Sequence, residues 1–161
     1  MKKIIFTLLI LMATSYASSY NFLETRYSDA LAKSMQLRGV ISFIDGLKIA
    51  YNNSDRVLVY EDGELELLED DESVDLDEGE ALKIAQYFEI ILMLYNGDEK
   101  RIDEEFIVTK LDSKSMLIPK GDLKEYMFKI ELKREDKNLK EIKMFLSNYD
   151  KITISILDEI R

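Results

Sequence analysis

The side chains that most often carry out chemistry are scarce in this sequence. It contains no His and no Cys, so the commonest general base, the usual zinc ligands and the thiolate nucleophile are all missing. The Gly residues are scattered among turns and form no phosphate-binding loop. Ser113-Lys114-Ser115 could supply a Ser–Lys pair, but such pairs are frequent in a Lys-rich chain. The residue types favour binding or carriage and predict that the protein is not an enzyme, with a lipid hydrolase as the least supported alternative.

Carboxylates are abundant, and residues 69–80 (EDDESVDLDEGE) concentrate them. A calcium site is one interpretation, but the segment does not match the EF-hand loop, which has Gly at its sixth position and Glu at its twelfth. The other interpretation is the start of a helix. Asp77 with Glu80 three residues later resembles a capping box, and acidic groups suit the positive end of a helix dipole. We expect a solvated capping turn here and no metal site.

Residues 80–95 (EALKIAQYFEIILMLY) form the one long segment with a helical pattern. Apolar residues that recur at spacings of three and four share one face, and these are Ala81, Ile84, Ala85, Phe88, Ile91, Leu92 and Tyr95. Other apolar residues lie outside that face, namely Leu82, Ile90, Met93 and Leu94. A helix that is apolar on more than one side must be covered on more than one side. It could plug a sheet, roof an apolar ligand cavity or bind a partner.

Short strands precede and follow this helix. Alternating apolar residues predict a first strand at residues 22–27 and four antiparallel strands between residues 37 and 67, with hairpin turns at Asp45-Gly46 and Asp62-Gly63. Five more strands are predicted after the helix, at residues 106–111, 115–119, 126–133, 141–146 and 152–156. A sheet of about ten or eleven strands must curl or close. The curled sheet would have a concave apolar face for the helix to cover.

The first residues predict export. Lys2 and Lys3 precede a short apolar run, and Ser15 and Ala17 are small residues at the positions that a signal peptidase prefers. The run is too short to span a bilayer as a permanent helix. We therefore expect a cleaved signal peptide at residues 1–17 and one mature domain at residues 18–161, located in the periplasm.

The charge balance restricts the expected partners. The chain has 22 basic and 32 acidic residues and a net charge of −10. This balance argues against nucleic acid and against anionic membrane surfaces, because both attract a basic patch. A content of 47% apolar residues indicates a globular chain and not a disordered acidic tail.

Several short motifs occur in an order that resembles a known family. A strand with an F-x-[QE] motif follows the predicted signal peptide. After it come a Gly within a strand and, about a dozen positions later, an aromatic residue. An apolar strand, a D-G turn and another strand precede the helix, and F-x-V, L-x-P and I-x-I-x-[LF] patterns follow it. In order, these are Phe22-Leu23-Glu24, Gly39, Tyr51, residues 57–67, Phe106-Ile107-Val108, Leu117-Ile118-Pro119, residues 130–132 and residues 152–156. The order resembles the LolA-like periplasmic carriers of outer-membrane lipoproteins over nearly the whole mature chain.

The resemblance implies an unclosed half-barrel of eleven antiparallel strands, with helices as a lid over an apolar cavity. In this family the cavity takes the acyl chains of a lipoprotein from an inner-membrane exporter and passes them to an outer-membrane receptor. Each CH₂ hidden from water contributes roughly 0.8 kcal/mol, so one long acyl chain needs about 10 kcal/mol of shelter. No cofactor is implied, and we expect a monomer.

Two features depart from the family pattern. Family carriers usually have an amphipathic helix before the first strand, whereas only residues 18–21 precede Phe22 here. They also tend to hold an Arg in the turn between the Gly strand and the aromatic strand, where it latches the lid. Asp45 occupies that place in this chain. The predicted lid would then consist mainly of residues 80–95.

Inward alternation and the apolar helix face together predict the cavity lining. The predicted residues are Ile41, Phe43, Ile49, Tyr51, Val57, Val59, Phe88, Ile91, Leu92, Tyr126, Phe128 and Ile130. Ordinary core packing is the alternative for each of them. The predicted function is a periplasmic carrier that ferries acylated lipoproteins or another lipid cargo from the inner to the outer membrane. The alternative is a non-transporting sensor or adaptor of lipid or lipoprotein state with the same fold.

Overall fold

The structure is a computed structural model that describes residues 18–160. The predicted signal peptide, residues 1–17, lies outside the described residues. The strands are β1 (Ser19–Ser28), β2 (Lys33–Ser42), β3 (Leu47–Tyr51), β4 (Arg56–Glu61), β5 (Glu64–Glu69), β6 (Glu72–Val74), β7 (Phe106–Leu111), β8 (Lys114–Pro119), β9 (Met127–Glu135), β10 (Asn138–Leu146) and β11 (Lys151–Ile160). The helices are α1 (Glu78–Asn96), α2 (Glu99–Glu105) and a short 3₁₀ helix (Gly121–Glu125).

All the strands belong to one antiparallel sheet. Its order is β6-β5-β4-β3-β2-β1-β11-β10-β9-β8-β7, so the first and last strands pair in the middle and β6 and β7 form two free edges. The two helices lie in the chain between these edge strands. The prediction of an unclosed antiparallel half-barrel of about eleven strands with a helical insertion is therefore confirmed.

Local sequence signals account for the turns and for the ends of α1. Asp45-Gly46 and Asp62-Gly63 both have positive φ at each residue, as tight hairpin turns require. The Asp77 carboxylate accepts hydrogen bonds from the backbone N–H groups of Gly79 (3.0 Å) and Glu80 (3.3 Å), which caps the start of α1. Gly97 ends the helix with φ of 65° and donates its N–H to a carbonyl of the last turn.

The core lies on one face of the sheet, which we call the inner face. Residues that pair in register point to the same face, so the pairs show which residues belong to it. Ile41 pairs with Ile49, and Ile142 lies between Leu132 and Ile154. The most deeply buried apolar strand residues on this inner face are Phe22, Ile41, Leu47, Ile49, Phe106, Leu117, Ile130, Ile142, Met144 and Ile154. Each such side chain contributes about 1.5–3 kcal/mol relative to full exposure. The inner face is thus the apolar concave face that the strand pattern predicts.

The prediction that Val57 and Val59 point inward is wrong. Val57 pairs with Ala50 and Val59 with Lys48, on the outer face. Alternate residues of β4 are apolar in both phases, so the alternation fits either face. Leu58 decides the phase because it pairs with the fully buried Ile49.

The inward prediction also fails for Tyr126 and Phe128. Phe145 pairs with Lys129, whereas the next residue of β10 pairs with Met127, so Phe128 is an extra residue in a β-bulge. The bulge reverses the side on which the preceding residues of β9 lie. Met127 is therefore buried, while Phe128 is 45% exposed. Tyr126 lies before β9, at the end of the 3₁₀ helix, and is 41% exposed.

Gly39 permits the close approach of β2 to its neighbours on the inner face. A Cβ atom at this position would lie 2.1 Å from the carbonyl oxygen of Ala50 and 2.9 Å from the Phe22 ring. Only Gly fits there without displacing backbone.

Candidate functional site

Helix α1 covers the concave face of the sheet. Phe88, Ile91 and Leu94 of this helix are at most 1% exposed. They belong to one cluster with the buried inner-face residues, and the ring of Phe88 meets that of Tyr60 edge-on at 6.4 Å. Side chains of α1 thus occupy the space in which a cavity was predicted.

The predicted lining residues separate into three groups. Five of them are fully buried between the sheet and the helix, namely Ile41, Ile49, Phe88, Ile91 and Ile130. Three are partly buried at the margin of the same core, namely Phe43, Tyr51 and Leu92. The remaining four lie elsewhere, namely Val57, Val59, Tyr126 and Phe128. The structure brings the first two groups together under α1, as either a core or a closed lid would.

An aromatic clamp holds the C-terminal end of α1. The Tyr95 ring stacks on the Phe43 ring with centroids 3.5 Å apart and planes 1° from parallel. The Tyr20 ring meets both edge-on, and the hydroxyl groups of Tyr20 and Tyr95 lie 3.2 Å apart. Burial first, and then the hydrogen bond to Tyr20, raise the pKa of Tyr95 to about 12. We call Tyr20, Phe43 and Tyr95 the aromatic clamp.

Arg134 of β9 fastens the same end of the helix from the other side. Its guanidinium donates hydrogen bonds to the backbone carbonyl oxygen of Leu94 and, at 3.2 Å, to that of Lys137. A cation at a helix C-terminus satisfies free carbonyl groups and complements the dipole. Asp45 lies in the turn between β2 and β3.

A buried polar cluster interrupts the apolar inner face near the middle of α1. Glu24 of β1 is fully buried, and its carboxylate accepts hydrogen bonds from the Arg26 guanidinium and from the Tyr51 hydroxyl (2.7 Å). Arg26 also donates to the Tyr51 oxygen at 3.2 Å. Burial lowers the pKa of Arg26, but the hydrogen bond and charge of Glu24 outweigh it, so the pKa is raised. Glu24 is thus held in a low-dielectric site by two donors.

Tyr87 of α1 completes this polar cluster without joining its hydrogen bonds. Its hydroxyl is buried and has no hydrogen-bond partner within residues 18–160. Burial and then the nearby charge of Glu24 raise the pKa of Tyr87 well above its ordinary value. The same two causes, burial and then Glu24, raise the pKa of Tyr51. An unpaired buried hydroxyl costs about 1–3 kcal/mol, so the packing of α1 against the sheet carries a local energetic penalty.

Two open clefts flank the C-terminal end of α1. The larger has a volume of about 620 Å³ and is lined by the helix end, the start of β1, the loop after β9 and the end of β11. The smaller, about 440 Å³, lies beside the turns at Asp45 and Asp62 and reaches Leu92 of the helix. Arg101 of α2 enters the smaller cleft, where it pairs with Glu89 at 2.6 Å. Leu92 is the predicted lining residue that borders a cleft.

Of the buried polar cluster, Tyr51 was among the predicted site residues, whereas Glu24, Arg26 and Tyr87 were not. A signal for it exists, because Glu24 and Arg26 stand in phase with Phe22 on one side of the first strand. A charged residue at an otherwise apolar position of the strand alternation indicates either an exposed end of the strand or a buried charge that has a partner. The partners Tyr51 and Tyr87 come from β3 and α1, so only the folded chain reveals the pairing.

Comparison with protein-family models and with curated proteins finds no match for this chain. Among the described residues, none of the helices has the length and apolar character needed to cross a bilayer. Within residues 18–160, no three acidic side chains converge in a way that could hold a metal ion.

Proposed function

We propose that this protein is a periplasmic carrier that binds the acyl chains of lipoproteins, or another lipid cargo, between its concave sheet and helix α1. The observation that carries the proposal is an unclosed sheet whose apolar concave face is covered by one inserted helix. An acyl chain would take the position of α1 side chains on the same apolar surface. The exchange requires no catalytic group.

The way in which α1 is held supports a helix that can move. Its polar ties to the sheet lie at its C-terminal end, in the aromatic clamp and at Arg134. Further along the helix, the Tyr87 hydroxyl lacks a partner and opposes the closed position. The connection before α1 passes through β6, a three-residue strand whose residues are all exposed. A helix that is tied at its C-terminal end, penalised near its middle and preceded by a short exposed strand suits a lid that opens when the C-terminal ties are released.

The energy balance is favourable for a long acyl chain. Opening α1 exposes buried apolar surface, and inserting the chain covers it again. Each CH₂ transferred from water contributes roughly 0.8 kcal/mol, so a sixteen-carbon chain offsets about 10 kcal/mol. A short chain or a small polar ligand offers too little apolar surface to displace the helix. The proposal therefore specifies long-chain cargo.

Carriage between membranes requires a donor and an acceptor. We propose an inner-membrane lipoprotein exporter and an outer-membrane receptor for these roles, as in the carriers that the sequence resembles. Transfer would proceed by relay of the acyl chains from one apolar surface to the next.

Binding of a fluorescent sixteen-carbon fatty acid and of a synthetic triacylated peptide tests the proposal. Leu92→Asp places a carboxylate at the margin of the covered face and should weaken binding by at least about tenfold, because that charge must be desolvated. Leu82→Asp is the matched control, since Leu82 lies on the same helix but is 58% exposed. Saturable binding that only Leu92→Asp weakens would support the carrier.

Two outcomes would oppose it. Wild-type protein that binds neither probe would argue against a lipid site. A membrane-anchored regulator captured by crosslinking in cells, with normal lipoprotein sorting after deletion of the gene, would favour the sensor or adaptor alternative.

A further inference from the structure

The outer face of the sheet carries a row in which Lys and aromatic side chains alternate. Lys129 of β9 pairs with Phe145 of β10, and Phe145 pairs with Lys151 of β11. Lys151 in turn pairs with Tyr27 of β1. The Lys129 ammonium lies 4.1 Å from the centre of the Phe145 ring, and the Lys151 ammonium lies 5.3 Å from that of Tyr27. We call these four side chains the Lys–aromatic row.

The same face is basic beyond this row. On strands β8 to β11, β1 and β2, register places six basic side chains on this face, namely Arg38, Lys114, Lys129, Lys133, Lys143 and Lys151. Three carboxylates, those of Glu131, Glu135 and Glu141, lie among them, and Glu135 pairs with Lys133 at 3.4 Å. The hydrogen bond from Lys129 to Glu131, 2.7 Å long, lowers the pKa of Glu131, and the charges of Lys143 and Lys114 lower it further. The six cations outnumber the three carboxylates, which leaves an excess of positive charge in this region.

Negative charge is concentrated at the opposite edge of the sheet. Residues 61–80 hold twelve of the 32 acidic residues and no Lys or Arg. This segment forms β5, β6 and the start of α1, whereas the Lys–aromatic row lies on β9 to β11 and β1. The net charge of −10, which argued against an anionic surface as a partner, averages over two separate regions.

Exposed aromatic rings extend the Lys–aromatic row towards one end of the sheet. The Phe128 ring lies 5.8 Å from that of Phe145 and 6.4 Å from that of Tyr149. Phe128 is 45% exposed and Tyr149 is 67% exposed. The bulge in β9 turns Phe128 outward, and a turn with positive φ carries Tyr149. The face thus presents Lys side chains beside aromatic rings that are exposed to solvent in the free protein.

We propose that this outer face docks on the surface of a bilayer that contains anionic phospholipid. Lys side chains are attracted to such headgroups, while Phe and Tyr rings settle at the boundary between headgroups and acyl chains. The acidic edge is repelled by the same surface, so the charge separation would orient the molecule. An acidic protein would satisfy the Lys side chains but would not account for the exposed rings of Phe128 and Tyr149. Docking by the outer face involves neither the inner face nor α1, so this inference does not depend on the carrier proposal.

Co-sedimentation with vesicles tests the inference, using the wild-type chain from residue 18 onwards, without the predicted signal peptide. The vesicles contain either phosphatidylcholine alone or phosphatidylcholine with one third phosphatidylglycerol. The double variant Lys129→Glu/Lys151→Glu should bind the anionic vesicles at least about tenfold more weakly than wild type. The double variant Lys83→Glu/Lys100→Glu is the matched control, because it makes the same charge change on α1 and α2. Phe128→Ser should weaken binding without changing the net charge.

The expected result is binding to the anionic vesicles alone, weakened by the Lys129 and Lys151 changes and by Phe128→Ser but not by the control. Equal weakening by the two double variants would overturn the proposal, because it would show that only total charge matters. Absence of binding by wild type would also overturn it. Polyglutamate that binds as tightly as the vesicles, or self-association that is lost in Lys129→Glu/Lys151→Glu, would assign the face to an acidic protein or to a second copy instead.

Discussion

At the scale of single residues, the two Tyr side chains nearest Glu24 have opposite roles. The Tyr51 hydroxyl donates to the buried carboxylate at 2.7 Å, whereas the Tyr87 hydroxyl has no partner in the described part of the chain. Loss of the Tyr51 hydroxyl leaves Glu24 with one donor fewer in a buried site. Loss of the Tyr87 hydroxyl only removes a desolvation cost. The same Tyr→Phe change should therefore have opposite effects at the two positions.

We expect Tyr87→Phe to raise the free energy of unfolding by about 1 kcal/mol and Tyr51→Phe to lower it by about 1–3 kcal/mol. Urea denaturation of the two variants and of wild type measures both changes. A Tyr87→Phe variant that is less stable than wild type would show that the hydroxyl has a partner and would remove the argument for a penalised closed helix.

Alkaline pH should weaken the attachment of α1. The pKa of Tyr95 is raised to about 12 from an ordinary value of 10.0. Between these values the folded chain holds a proton that the unfolded chain releases. The stability from Tyr95 is thus complete below pH 10 and is lost as the pH rises towards 12.

Unfolding in urea at pH 9 and at pH 11.5 measures this loss. Tyr95→Phe should show a smaller difference between the two pH values than wild type does. Tyr149→Phe is the control, because that ring is 67% exposed and should leave the difference unchanged. A wild-type difference that persists in full in Tyr95→Phe would contradict the assignment.

Patterns of residue type predicted the buried residues well where one phase of a strand is polar. They failed at β4, where both Val59 and Tyr60 belong to apolar phases, and at Phe128, where a bulge shifts the phase. Burial of Glu24 depends on donors from other elements. The way in which these donors come together depends on the tertiary fold. The local sequence signals it only through a charged residue among the apolar positions of a strand.

At the scale of elements, the close pairing of β2 with β3 depends on Gly39. Gly39→Ala would place a Cβ atom 2.1 Å from the Ala50 carbonyl oxygen, which is backbone and cannot rotate away. We expect a loss of about 1–3 kcal/mol or more in the free energy of unfolding. Gly79→Ala is the control, because its Cβ atom would meet only the Asp77 side chain at 3.3 Å, in the first turn of α1. Equal stability of Gly39→Ala and wild type would mean that the two strands can separate without cost.

Helix α1 and the hairpin turns were predictable because their signals are local. The Asp77 cap and the two Asp-Gly turns appear where they were predicted, and a Gly in the left-handed conformation, Gly97, ends the helix. Helix α2 was missed because its seven residues (EKRIDEE) include a single apolar side chain and so show no periodicity. Its structure rests on the Asp98 cap, which accepts from the Arg101 N–H at 3.2 Å, and on the pair of Arg101 with Glu89.

At the scale of the whole molecule, the number of strands predicted a sheet that curls or closes, the family resemblance implied an unclosed one, and the structure has an unclosed sheet. The helix pattern could not decide between a permanent plug and a lid, because both require apolar residues on more than one side of α1. In the structure α1 packs on the inner face of the sheet, with Ile91 and Leu94 fully buried. The carrier proposal therefore depends on whether α1 opens. The separation of charge was equally hard to predict, since strand register assembles the basic residues of the outer face from five strands, β2, β8, β9, β10 and β11.

The most direct test is to lock α1 shut and measure lipid binding. The chain has no Cys, so Phe43→Cys with Tyr95→Cys, at the stacked rings of the aromatic clamp, gives one unique pair. A short bis-maleimide joins the two thiols in one sample, and N-ethylmaleimide caps them separately in the other. We expect the capped sample to bind a fluorescent sixteen-carbon fatty acid and the joined sample to bind it at least about tenfold more weakly, a difference of about 1.4 kcal/mol or more. Equal binding by the two samples would show that α1 does not open to admit the fatty acid.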